Sequence, residues 1–163
     1  MGTSTRLSRR SFLTGRQPGR AVPPRPPGVT AASVMACTGC GECVDACPEQ
    51  VLTIAEGRVA LEMAAGECTF CGTCSDACPE SVFTAGAGMA HEMILGDDCL
   101  ARNGVSCMTC RDACPEEAIT VRPRIGGPFL PVLDPALCSG CGACVGPCPA
   151  GAITPQIREP ADA

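Results

Sequence analysis

The chain has 163 residues, room for one domain or two very small ones. Its 45% apolar content counts 16 cysteines, while Leu, Ile, Val and Phe supply only 30 residues and Trp and Tyr none, too little for an ordinary core without staples. The net charge of −5 divides into +6 over the first 36 residues and −11 over the rest, and so acidic a body argues against nucleic acid as the main partner.

Residues 1–33 read as a basic, Pro/Arg-rich disordered arm. It opens with "SRRSFLTG" (Ser8 to Gly15), which has the look of a twin-arginine export address. Such an address needs an apolar stretch and a small-residue cleavage site after its arginines. Here "RQPGRAVPPRPPG" follows, with three more arginines and five prolines, which favours an extended polyproline-like chain. The mildly apolar Val29–Ala36 run comes late and leads straight into Cys37, so cleavage there would cut into the cysteine-rich body. The motif is therefore read as a non-functional look-alike on a protein retained in the cytoplasm. No run of 18 apolar residues occurs, so no transmembrane helix is expected.

The cysteines then fall into four groups. Group one is "CTGCGECVDACPEQVLTI" (Cys37, Cys40, Cys43, Cys47), and group two is "CTFCGTCSDACPESVFTA" (Cys68, Cys71, Cys74, Cys78). Group three is "CLARNGVSCMTCRDACPEEAITV" (Cys99, Cys107, Cys110, Cys114), and group four is "CSGCGACVGPCPAGAITP" (Cys138, Cys141, Cys144, Cys148). Groups one, two and four have the C-x2-C-x2-C-x3-C-P spacing of bacterial-type 4Fe–4S binding. Three thiolates two residues apart let a tight loop wrap one cluster, with Gly39, Gly41, Gly72, Gly140 and Gly142 permitting close backbone approach. The fourth cysteine lies about a helical turn further on, where in paired-motif folds it reaches the other cluster. Pro48, Pro79, Pro115 and Pro149 stop each helical turn. The tails Val51-Leu52-Thr53, Val82-Phe83-Thr84, Ala118-Ile119-Thr120 and Ala152-Ile153-Thr154 read as strand starts. Repetition of these non-ligand positions marks duplication of one structural unit.

Group three departs from the spacing, with seven residues between Cys99 and Cys107 instead of two. The extra five are either a surface insertion or a changed cluster environment and partner contact; Cys99 is assigned as a ligand in both readings. Disulfides suit this pattern poorly, because C-x2-C-x2-C triplets are badly placed to pair with one another. Structural zinc gives no reason for a third cysteine two residues on. The sixteen cysteines thus point to four 4Fe–4S clusters, whose binding is expected to supply much of the folding energy.

Catalysis has little support. His91 is the only histidine, and as a catalytic base it would need partners that the sequence does not identify, so it reads as a surface or locally bonded side chain. Glu42, Asp45, Asp76, Glu80, Asp112 and Glu116 show no paired spacing and read as solvated. No phosphate loop or nucleophile motif occurs, and the chain is not expected to be an enzyme.

Taken together, "SRRSFLTGR", the four groups in order, "CPESVF" and above all "GDDCLARNGVSCMTCRDACP" (Gly96 to Pro115) resemble the NapF family, ferredoxin-type proteins of periplasmic nitrate reductase systems. The resemblance implies a cytoplasmic protein with four 4Fe–4S clusters held by the sixteen cysteines. It further implies binding to the precursor of the catalytic molybdenum subunit, helping to assemble or redox-condition that subunit's own cluster before export. It carries over no catalytic residue. A plain electron-transfer polyferredoxin subunit is the alternative, and a rigid scaffold with purely structural clusters a third reading.

The fold class expected is α+β: two two-cluster bacterial-ferredoxin units with short strands, small helices and little ordinary core. Residues 34–90 would carry groups one and two, and 91–163 groups three and four. Spacing alone does not decide between tandem modules and a nested arrangement with one and four around two and three, nor which cysteines share a cluster.

Overall fold

A tight loop, one helical turn and a strand recur along the chain, and the computed structural model describes them over residues 22–157. In group one Gly41 takes a left-handed φ of 90° and opens α1 (Glu42–Asp45). Gly72, at φ 82°, does the same before α2 (Thr73–Asp76). α3 (Thr109–Asp112) starts instead from Met108 at φ −131°, because the lengthened loop of group three enters from another direction. Each of these turns closes when an alanine N–H reaches back four residues: Ala46 to Glu42, Ala77 to Thr73, Ala113 to Thr109. In group four that place belongs to Pro147, which has no N–H to give, and the segment stays a turn.

Two of the three strand pairs are local. β1 (Leu52–Ala55) and β2 (Arg58–Leu61) form an antiparallel hairpin with Leu52 opposite Leu61 and Ala55 opposite Arg58. Its two-residue turn, Glu56-Gly57, has φ 54° and 77°, both left-handed as a tight hairpin requires. β3 (His91–Leu95) pairs antiparallel with β6 (Ile153–Ile157), so the segment entering group three is brought to the tail of group four. Between them β4 (Ile119–Arg122) pairs with β5 (Leu130–Leu133). Strands thus start at three of the four expected tails.

The fourth, Val82-Phe83-Thr84, is not a strand, and the chain lying against it explains why. Residues 22–33, expected as the end of a disordered arm, are packed on the body. The Pro24 carbonyl accepts from Leu61 N–H at 2.8 Å, Pro26 is fully buried and Val29 is 1% exposed. Gly28 N–H reaches the Gly88 carbonyl at 3.2 Å, and Thr84 N–H reaches the Gly28 carbonyl at 2.9 Å. With Pro23, Pro24, Pro26 and Pro27 lacking N–H groups, no regular ladder can form there. A proline-rich chain can lie on a surface while offering mainly carbonyls. Residues 1–21, with the twin-arginine look-alike, lie outside the described residues.

Groups one and two make one module and groups three and four a second, in tandem. A main apolar core runs through both, built from side chains such as Val29, Val51, Val59, Val82, Met93, Ile119 and Ile153 together with Cys43, Cys110 and Cys144, and a smaller cluster gathers at Cys99, Ala101 and Ala152. Full burial of a valine contributes about 1.5–3 kcal/mol, so even a core of this modest kind matters. Among the described residues no helix is long and apolar enough to cross a membrane.

Candidate metal centres

Each module places its cysteines around two cavities, and each cavity takes three thiols from one group and the last from its partner. Site one is ringed by Cys37, Cys40, Cys43 and Cys78, walled by Val59, Val82 and Phe83. Site two holds Cys68, Cys71, Cys74 and Cys47, and opens into a groove of about 420 Å³ between Pro26-Pro27 and Thr84–Gly88. Site three gathers Cys99, Cys107, Cys110 and Cys148 against Leu95, Leu100 and Ile153. Site four gathers Cys138, Cys141, Cys144 and Cys114 against Met93, Ile119 and Leu133. The turn around the third cysteine, helical in groups one to three and a plain turn in group four, carries the fourth cysteine out of its own loop and onto the neighbouring site.

These donor sets fit the cluster that the spacing implies. Four sulfurs around an apolar void suit a polynuclear centre in which each iron takes one thiolate. Among the described residues no three His, Cys, Asp or Glu side chains converge closely enough to hold a single metal ion. The loops are shaped for close approach. Gly39 has φ 71°, and a Cβ on it would lie 2.7 Å from the Gly57 carbonyl oxygen. Gly140 is similarly covered by Met89 and His91. Phe70, in the corresponding place of group two, also adopts a left-handed φ, 56°, although it is not glycine.

Burial governs the thiols. It pushes Cys74 up to about 11, with the neighbouring charge of Cys68 adding to it, and Cys144 up to about 12, with Cys141 adding. Cys43 is raised by burial first and then by the charges of Cys78 and Cys37, and Cys68 and Cys110 also rise through burial. Cys71 and Cys107 go the other way. The Thr73 hydroxyl lies 3.4 Å from Cys71 Sγ and the Thr109 hydroxyl 3.5 Å from Cys107 Sγ, and these hydrogen bonds lower both thiols. Ala152 N–H donates to Cys148 Sγ at 3.4 Å. Sequence reasoning missed both threonines; their signal was a hydroxyl residue two places after the second cysteine, in groups two and three only.

The inserted loop of group three is ordered. Ala101 is fully buried, Asn103 Nδ2 donates to the Asp97 and Cys99 carbonyls, and Val105 N–H returns to the Leu100 carbonyl. This folding brings Cys99 to site three despite its distance in sequence. His91 is buried, and its Nε2–H donates to the Gly140 carbonyl at 3.0 Å, fixing the loop of group four. All six scattered acids are exposed.

Comparison with known proteins matches this arrangement. The 4Fe-4S dicluster domain family covers residues 36–82 and 105–152, one match per module. The second match begins after Cys99, where the insertion interrupts the usual spacing. Two dicluster units with sixteen cysteines make the chain an iron–sulfur protein of the ferredoxin type with four 4Fe–4S clusters. It is 40% identical over 154 residues to the ferredoxin-type protein NapF of Escherichia coli K12, covering 91% of this chain and 94% of the relative. It is also 35% identical over 167 residues to the ferredoxin-type protein NapF of Haemophilus influenzae, covering 93% and 95%. The chain belongs to the NapF family.

Proposed function

We propose that this protein serves in the cytoplasm as an accessory factor for periplasmic nitrate reductase, assembling or redox-conditioning the iron–sulfur cluster of the precursor catalytic molybdenum subunit before export. The observation that carries the reading is the set of four cavities, each ringed by four cysteines in a three-plus-one pattern. Their ligands are assigned accordingly: Cys37, Cys40, Cys43 and Cys78; Cys68, Cys71, Cys74 and Cys47; Cys99, Cys107, Cys110 and Cys148; Cys138, Cys141, Cys144 and Cys114. Bound there, 4Fe–4S clusters supply one-electron chemistry. The chain's own part is to hold the thiolates, wall the sites partly with aliphatic side chains, and adjust individual sulfurs through Thr73, Thr109 and the Ala152 N–H. No side chain is assigned a catalytic role.

The test is capture of nitrate reductase precursor by this protein, comparing clusterless with cluster-loaded client. Preference for the clusterless precursor is expected. Equal affinity for both, with rapid reduction of the mature enzyme, would replace the maturation role with plain electron transfer.

A further inference from the structure

One contact between the two modules is made by residues of site two and site four. Cys68 N–H donates to the Cys141 carbonyl at 2.9 Å, a backbone hydrogen bond between the first cysteine of group two and the second cysteine of group four. Beside it Met63, 5% exposed, lies over Gly142; a Cβ on that glycine would come within 2.8 Å of Met63 Cγ. Gly146 faces the Ala64 carbonyl across the same seam, at 3.3 Å from where its own Cβ would stand. Gly142 is held at φ 88°, so the absence of a side chain there serves both the cluster loop and the contact. The segment between β2 and group two is thus seated on the loop of group four.

We infer that this seam joins the four sites into a single series in the spatial order one, two, four, three, with Cys68 and Cys141 at the crossing and Met63 as the positioning residue that holds it closed. Within each module the exchanged fourth cysteines already link the pairs, since Cys47 and Cys78 tie site one to site two and Cys114 and Cys148 tie site three to site four. The seam supplies the missing link. An electron entering at one end can then leave at the other, each transfer oxidising one site and reducing its neighbour by one electron, with no other reactant. The site with the lengthened loop, site three, is one terminus, and site one is the other. The inference rests on the ligand assignment above and is independent of which client is served.

The experiment is electron paramagnetic resonance on the intact, fully loaded protein during stepwise reduction, with Met63→Ala and Met63→Leu beside it. The expected result is a magnetic interaction between sites of different modules, seen as faster spin relaxation in one module once the other is reduced. That interaction should be lost in Met63→Ala and retained in Met63→Leu, with iron and sulfide content and the interactions within each module unchanged. The inference is overturned if the loaded wild-type protein behaves as two magnetically independent modules, or if Met63→Ala keeps the full interaction. Iron and sulfide short of four clusters would instead indict the ligand assignment. All three proteins keep all sixteen cysteines, so loading is measured on the same samples.

Discussion

Phe70 and Gly39 occupy the same place in two copies of one loop, and both hold a left-handed backbone, at φ 56° and 71°. Gly39 has no alternative, because the Gly57 carbonyl leaves no room for a Cβ. Phe70 is 41% exposed and rims the open groove of site two, so its side chain has space but its backbone is strained. A left-handed conformation costs a non-glycine residue about 1–2 kcal/mol. Phe70→Gly is therefore expected to stabilise the loaded protein by about 1 kcal/mol. Gly39→Ala should destabilise it by about 2 kcal/mol or more, combining clash with strain. Urea-induced bleaching of the cluster absorbance measures both.

Thr73 and Thr109 each place a hydroxyl on one cysteine sulfur. Hydrogen bonds to cluster sulfurs stabilise the reduced, more negative state. Thr73→Val should lower the reduction potential of site two alone, and Thr109→Val that of site three alone. A redox titration that separates the four centres checks this; a shift at sites one or four would contradict it.

In cluster-free protein, burial makes the thiols unequal. Cys71 and Cys107, lowered by their threonines, should be alkylated first at pH 8, and Cys144, pushed up to about 12, last. The sign for stability follows from the raised groups. A thiol at about 11 or 12 in the fold and 9.0 unfolded favours the fold fully below pH 9. That contribution falls from pH 9 upward and is lost once the pH has passed through 11 and 12, so the cluster-free fold should loosen across that interval. Loading needs thiolates and releases protons, so reconstitution should improve between pH 7 and 9. Peptide mapping after timed alkylation, and circular dichroism against pH, provide the measurements.

Cys99 lies outside the matched part of the dicluster family yet reaches site three through the ordered turn at Ala101 and Asn103. Cys99→Ala should empty site three and spare the other three. Asn103→Ala removes the two side-chain bonds that pin the turn, and should lower the loading of site three by destabilising it about 1–2 kcal/mol. Iron analysis with spectroscopy of the remaining centres tests both.

Much of this was legible in the residues. The four groups, the helical turns of groups one to three and three of the six strands follow from spacing, glycine and proline. The loss of the helical turn in group four was also readable, at Pro147. The missing strand after group two was not, because it depended on the prolines at 23–27 arriving from elsewhere to lie beside Thr84. The same non-local docking hid the burial of Val29, since a Pro/Arg-rich composition does not show what surface it will meet. Nor could spacing choose between tandem and nested modules. That choice shows in the pairing of β3 with β6 and in the exchange of Cys47 with Cys78 and of Cys114 with Cys148, all remote in sequence.

The exchange of the fourth cysteines is the central claim, and one measurement addresses it directly. In the loaded protein carrying Cys78→Ala, rapid alkylation and peptide mapping should find Cys37, Cys40 and Cys43 exposed to reagent while Cys68, Cys71 and Cys74 stay protected. Cys47→Ala should give the reverse. If Cys78→Ala instead freed Cys68, Cys71 and Cys74 and left group one protected, each group would bind its own cluster, and the three-plus-one architecture would be wrong.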